Sequence, residues 1–214
     1  MSTIFLDRDG VINENRPDYV KSWEEFRFLP GAREAVAQLT RAGHRIVVCT
    51  NQAGIARGTI AIEAVDDIHR RMIAEIAKLG GTIERVYYCP HAKDANCCCR
   101  KPRPGLLLRA RDELGVDLND AVFIGDSMTD VRAGLAAGVH SMLVLTGLGL
   151  EQFREHHHEA DGPFRIFMNV KHATESILQG MHLHSYAPSA LERACYSFLN
   201  RSASTSLDIE ALVL

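Results

Sequence analysis

No stretch of this sequence approaches the ~20 consecutive apolar residues that a membrane-spanning helix needs, so no membrane partner is expected. The start, Met1-Ser2-Thr3-Ile4-Phe5-Leu6, lacks the basic residues and longer apolar stretch of a secretory signal and runs at once into Asp7-Arg8-Asp9. A cytoplasmic protein is expected. Basic residues are not in excess: 24 Lys and Arg against 27 Asp and Glu leave a formal net charge of -3, which argues against a nucleic-acid binder with its basic face. There is no internal repeat. Cysteine is scarce outside one segment, since four of the six fall between Cys89 and Cys99. Such clustering does not suit a disulfide framework and does suit a metal site. Cys49 and Cys195 stand alone and read as small packed residues.

What is present fits one α/β domain with a full core: 214 residues, 46% hydrophobic and 24% charged. Strand and helix signals alternate along it. Residues 3–6 form a short apolar run that ends in acids. Residues 31–42 place Ala35, Val36 and Leu39 at helical spacing before Gly43, and Ile46, Val47 and Val48 form a buried-strand run in 44–49. Val65, Ile68, Met72, Ile76 and Leu79 make an amphipathic stripe over 62–79. Further strands are expected at 83–88, 121–124 and 140–145, and helices at 106–114 and 129–137. The alternation predicts a Rossmann-like parallel sheet with helices on both faces. After Gly147 the pattern weakens; 164–178 is expected to return one more strand and helix, closing a domain at 1–178. Residues 179–214 show no clear period and read as a C-terminal extension. His156-His157-His158 reads as a solvated loop run.

Ligands of such sheets sit at the carboxyl ends of the strands, and the polar motifs begin there. Asp7 and Asp9 leave the first strand, Thr50-Asn51 the second, and Asp126-Ser127 with Asp130 the fourth. Alone, each has a plain structural role open to it: a solvated turn for Asp7-Arg8-Asp9-Gly10, a strand cap for Thr50, a surface charge for Lys101, a helix N-cap for Asp126. Together they can transfer a phosphoryl group. An ionised carboxylate can attack phosphorus. A second can protonate the leaving oxygen and later take a proton from water. Lys101 can neutralise charge on the transferred group, and oxygen ligands suit magnesium.

Cys89-Pro90-His91 and Cys97-Cys98-Cys99 add a second cluster. A Cys-x-His followed by Cys-x-Cys supplies three thiolates and an imidazole, a closed tetrahedral set for structural zinc. Cys89, His91, Cys97 and Cys99 are the expected ligands, with a register that uses Cys98 also open. Because the loop 89–101 ends at Arg100-Lys101, the zinc would position the lysine.

The ordered set of Asp-x-Asp, Thr50, Lys101 and Gly125-Asp126 resembles the four motifs of the haloacid-dehalogenase-like superfamily, over residues 3 to 147. The resemblance implies a magnesium-dependent phosphatase. Asp7 would be the nucleophile and Asp9 the general acid/base; Thr50 and Lys101 would bind the phosphoryl group. Magnesium would be held by Asp7, the backbone carbonyl of Asp9, and Asp126, with Asp130 in support through Lys101 or the metal's waters. Only 40 residues separate Asp9 from Thr50 and 49 separate Asn51 from Lys101. Both intervals are already filled by expected elements, so no large cap domain is expected. The zinc loop before Arg100-Lys101-Pro102 is similar to the branch that holds heptose-bisphosphate and histidinol-phosphate phosphatases. Asn51-Gln52-Ala53-Gly54-Ile55-Ala56-Arg57-Gly58 is similar to the heptose enzymes in particular. On that likeness a small sugar phosphate is the partner, bound by Asn15, Arg16, Asp18, Tyr19, Thr50, Asn51, Gln52, Ala53, Arg100, Lys101 and Ser127. Few features of the sequence suggest an oligomer, so a monomer is expected. Ser127 departs from the lysine that many heptose enzymes carry there. Histidinol phosphate is the nearest rival substrate, a DNA 3′-phosphate a more distant one, and a non-catalytic zinc-stabilised binding protein a rival of another class.

Overall fold

The computed structural model describes residues 1–180, in which strands and helices alternate from end to end. The strands are β1 (Thr3–Leu6), β2 (Arg45–Asn51), β3 (Arg85–Cys89), β4 (Ala121–Gly125), β5 (His140–Val144) and β6 (Phe164–Phe167). The helices are α1 (Ala32–Arg41), α2 (Ile62–Ala77), α3 (Gly105–Leu114), α4 (Met128–Ala137), α5 (Gly149–His156) and α6 (Val170–Leu178). The strands form one sheet in the order β3-β2-β1-β4-β5-β6, with every pairing parallel. Leu6 lies level with Val48 of β2 and Ile124 of β4. The chain therefore leaves all three strands at the same edge, and β1 is the strand at which the winding reverses, the usual ligand position in such sheets.

Side-chain alternation sorts the core into two layers. Ile4, Leu6, Ile46, Val48, Val122 and Ile124 pack with Ala35, Val36 and Leu39 of α1, Ile68, Met72 and Ile76 of α2, and Ala173 of α6. Phe5, Val47, Cys49 and Phe123 point the other way, against Leu106, Leu107 and Ala110 of α3 and Ala133 of α4. Helices thus cover both faces, as expected. Among the described residues neither interval between the motifs holds a separate domain, and no helix is long and apolar enough to cross a membrane.

Three details differ from the sequence reading. β3 begins at Arg85 rather than near Ile83; Glu84, just before it, already donates its N–H to the Ile46 carbonyl at 2.8 Å and pairs its side chain with Arg45 at 2.6 Å. Residues 149–156 form α5, and His156-His157-His158 closes that helix and the 3-10 turn after it rather than lying in a loop. The extension expected from 179 falls, from 181 onward, outside the described residues.

Candidate active site

Four buried side chains meet where β1, β2 and β4 end. Asp7 follows β1, Asp126 follows β4, Asp130 lies on the first turn of α4, and Lys101 enters from the loop after β3. Lys101 Nζ donates to the Cys49 carbonyl at 2.9 Å and pairs as an ion with Asp7 Oδ1 at 2.9 Å and Asp130 Oδ1 at 2.6 Å. Asp7 Oδ1 also accepts the backbone N–H of Arg8 at 2.7 Å; its second oxygen has no protein donor among the described residues. Burial alone would lower the Lys101 pKa, but Asp130 and Asp7 hold it above the ordinary lysine value. For Asp126 the balance is opposite: burial pushes its carboxyl well above the usual range, and Asp7 and Asp130 push further.

Asp7, Asp126 and Asp130 each bring a carboxylate oxygen within 4.8 Å of the others. One ammonium against three carboxylates leaves excess negative charge, which a divalent cation would balance, and an all-oxygen donor set suits magnesium. Two glycines make room for Asp126. A Cβ on Gly10 would lie 1.9 Å from Asp126 Oδ2, and one on Gly147 2.1 Å from it. Asp126 is aimed by the Leu148 N–H, which donates to Oδ2 at 2.8 Å. The N-cap of α4 is Ser127, not Asp126, and it forms a capping box with Asp130. Asp130 therefore both caps α4 and holds Lys101.

The Asp9 carboxylate lies outside this metal-facing group, so only its backbone could join it. Its oxygens take Arg8 Nη2 at 2.9 Å, Asn13 Nδ2 at 2.9 Å and Gln52 Nε2 at 2.9 Å. Burial would raise its pKa, but Arg8, Asn13 and Gln52 hold it below the ordinary value. Thr50 Oγ1 accepts from Gln52 at 3.0 Å, which leaves its own hydroxyl hydrogen for a phosphoryl oxygen. Arg8 and His69 had not been singled out in the sequence. Arg8 sits between two acids and reads as a surface charge, and His69 lies beside the apolar stripe of α2; no local pattern marks either.

Beside the carboxylates opens a cavity of about 560 Å³ lined by Asn51, Lys93, Arg100, Lys101, Arg103, Ser127 and Gln152, among others. Of the residues expected to bind substrate, Asn51, Arg100, Lys101 and Ser127 line it. Asn51 also clasps the lysine loop, giving and taking backbone bonds with Lys101 at 3.2 Å. Gln52 and Ala53 are buried beneath the site instead. Asn15, Arg16, Asp18 and Tyr19 lie on the loop after β1 and do not line the cavity. There Arg16 pairs with Asp18 at 3.1 Å, and Arg57 lies 5.8 Å from the centre of the Tyr19 ring. Lys93, Arg103 and Gln152 were missed; the first two stand out only as cations flanking the cysteine cluster.

Next to the cavity, Cys89, His91, Cys97 and Cys99 converge. The sulfur atoms stand 3.3 to 3.6 Å apart, and His91 Nδ1 is 3.5 Å from Cys89 Sγ and 3.3 Å from Cys99 Sγ. Zinc–sulfur bonds of about 2.3 Å imply tetrahedral edges of roughly 3.8 Å, so these four atoms need to spread only slightly to hold the ion. Cys98 is exposed and outside the group.

A family profile described as haloacid dehalogenase-like hydrolase matches residues 2–134, and a second, HAD-hydrolase-like, matches 98–173. D-glycero-beta-D-manno-heptose-1,7-bisphosphate 7-phosphatase of Pseudomonas putida is 43% identical over 149 residues, covering 70% of this chain and 85% of that protein. The enzyme of the same name from Neisseria meningitidis is 37% identical over 179 residues, 84% of this chain and 96% of that one. The crystal structure of D,D-heptose 1,7-bisphosphate phosphatase from B. bronchiseptica, complexed with magnesium and phosphate, superposes with a TM-score of 0.79 at 36% identity, over 84% of this chain and 99% of that one. On sequence and fold together, the chain belongs to the haloacid dehalogenase-like hydrolases.

Proposed function

We propose that this hydrolase removes the 7-phosphate of D-glycero-D-manno-heptose 1,7-bisphosphate through a phosphorylated Asp7. The observation that carries the reading is the Asp7 carboxylate, oriented by Lys101 at 2.9 Å and the Arg8 N–H at 2.7 Å beside a second buried acid. Asp7 attacks phosphorus, the bond to the sugar oxygen breaks, and Asp9 supplies that oxygen with a proton. Asp9 then takes a proton from water as the water attacks the phosphorus of the acyl phosphate. Phosphate leaves and Asp7 is restored. Thr50 and Lys101 hold the phosphoryl oxygens meanwhile. Magnesium bound by Asp7, Asp126 and the Asp9 carbonyl would offset the repulsion between these carboxylates and the phosphate.

The heptose bisphosphate is favoured over histidinol phosphate by the named relatives and by the basic cavity, where Lys93, Arg100 and Arg103 offer charge for a second phosphate. Arg100 suits that role because a guanidinium can grip an anion with two N–H groups. Ser127 and the loop with Asn15, Arg16, Asp18 and Tyr19 would complete contacts to the sugar. Zinc in the four-residue cluster would brace the loop that delivers Lys101. The sugar is a precursor of lipopolysaccharide and other surface glycans, which agrees with the cytoplasmic location expected from the sequence.

Initial rates on the heptose bisphosphate, histidinol phosphate and a 3′-phosphorylated oligonucleotide, with and without magnesium, test the reading. Magnesium-dependent preference for the heptose is expected. Faster turnover of histidinol phosphate would replace the substrate, and turnover without any divalent cation would remove the mechanism.

A further inference from the structure

We infer that His69 is a positioning residue: from α2 it anchors the Arg8 guanidinium, and Arg8 in turn fixes where the Asp9 carboxylate stands. The inference rests on the phospho-aspartate reading, in which Asp9 moves the protons.

Arg8 is only 1% exposed although it lies between two acids at the edge of the site. Its guanidinium carries five N–H donors and no acceptor. The Nε–Nη2 edge meets Asp9, at 3.3 Å from Nε to Oδ1 and 2.9 Å from Nη2 to each oxygen, and Nη2 also reaches Gln52 Oε1 at 3.1 Å. Nη1 points the other way and would be a buried charged donor without an acceptor, a costly state. His69 Nε2 meets it at 3.1 Å. Since arginine can only donate, that nitrogen must be the unprotonated one, and the ring must be neutral.

The surroundings keep it so. Burial and the Arg8 charge push His69 down to about 3, so the acceptor persists throughout the pH range of an ordinary enzyme. The ring is 6% exposed and lies against Tyr88, with centroids 5.5 Å apart, while the Tyr88 hydroxyl donates to Asp66 on the same helix at 3.2 Å. A core position beside Ile68 could have held an aliphatic residue. Among the described residues, the one polar contact this ring makes toward the site is the Arg8 contact.

The test compares His69→Leu, which keeps bulk and removes the acceptor, with His69→Gln, which restores one. General acid–base catalysis contributes roughly 10²–10⁴-fold. Partial loss of Asp9 placement should therefore lower kcat on the heptose bisphosphate about tenfold in His69→Leu, with KM within about twofold, and His69→Gln should recover kcat to within about threefold of the parent. In an Asp9→Asn background, His69→Leu should have no further effect, since residues acting through one another are not additive. Unchanged kcat in His69→Leu, equal losses in the Leu and Gln variants, or additive losses with Asp9→Asn would each overturn the inference. These outcomes are independent of melting temperature, which is measured alongside. Acid quenching of the parent enzyme during turnover separates the two levels: no phosphate on Asp7 counts against the underlying mechanism, whereas a phosphorylated parent with additive variants counts against His69 alone.

Discussion

Lys101 directs its ammonium at Asp7, Asp130 and the Cys49 carbonyl, so one side chain both balances the buried acids and sits against the carboxylate proposed to attack phosphorus. Lys101→Met should therefore act twice. Turnover should fall by roughly 10²–10³, as when an electrostatic stabiliser of a transition state is removed. Stability in urea without magnesium should fall by about 3–5 kcal/mol, because buried carboxylates lose their counter-charge. A variant that keeps stability but loses turnover would mean that the three acids are not ionised together. Asp7→Asn preserves shape and removes the proposed nucleophile, and kcat should fall by roughly 10⁴ or more; normal hydrolysis by that variant would end the covalent mechanism. Asp7, Thr50, Lys101 and Asp126 were legible in the sequence because each carries a group phosphate chemistry needs, Asp7, Thr50 and Asp126 at the end of a strand and Lys101 at the end of the cysteine loop. Arg8 and His69 were not, as their meaning lies in a contact across 61 positions of chain. The loop 15–19 shows the converse: its residues carry suitable groups, yet they lie away from the cavity walls.

Among elements, the loop from Cys89 to Lys101 has the least regular structure for its role. A 3-10 turn at Lys93–Ala95 is its sole regular piece. Its shape is held by the contacts among Cys89, His91, Cys97 and Cys99, by Arg100 Nη1 on the His91 carbonyl at 3.2 Å, and by Arg103 Nη1 on the Cys97 carbonyl at 2.6 Å. No catalytic atom belongs to the cluster. Serine at Cys97 and Cys99 together should then empty the zinc site, expose the loop to proteases, and lower kcat by roughly 10–100-fold, the usual cost of losing a supporting shell, while the circular dichroism of the sheet and helices persists. A zinc-free variant with full activity would show that the Asn51 clasp suffices to place Lys101. The cluster was readable from ligand spacing alone. α5 was not: most of its residues are polar, its inward contacts are the partly buried Leu150 and Phe153, and it packs on α4 rather than continuing a clear stripe. Yet the turn into α5 supplies the Leu148 N–H to Asp126, so a weakly patterned element positions a strongly patterned residue. The strands were the easiest to read, since those buried on both faces are short continuous apolar runs.

Across the whole molecule, the carboxylates arrive from β1 and from the end of β4, and the lysine from beyond β3, so the site exists only when the sheet is assembled. Folding thereby forces like charges together, and the metal-free protein should record that in its pH dependence. Burial raises the folded pKa of Asp126 well above 3.8, with Asp7 and Asp130 adding to the rise. A carboxyl raised on folding binds more protons in the folded state than in the unfolded one between its two pKa values, so unfolding free energy declines as pH climbs through that window. Protein without magnesium should accordingly lose stability from pH about 4 upward until Asp126 is ionised. Magnesium held by the ionised carboxylates would oppose the decline. At 100 times its dissociation constant a ligand of the folded state contributes about 2.7 kcal/mol, or roughly 5–10 °C in melting temperature for a chain of this size. That increment should appear at pH 8 and shrink at pH 5, where protons compete for the same oxygens. Asp126→Asn, which cannot ionise, should be more stable than the parent without magnesium at pH 8 and should gain little when magnesium is added. If melting shifts are equal at both pH values, or as large in Asp126→Asn as in the parent, then the cation is not held by these carboxylates and the charge balance assigned to the site is wrong.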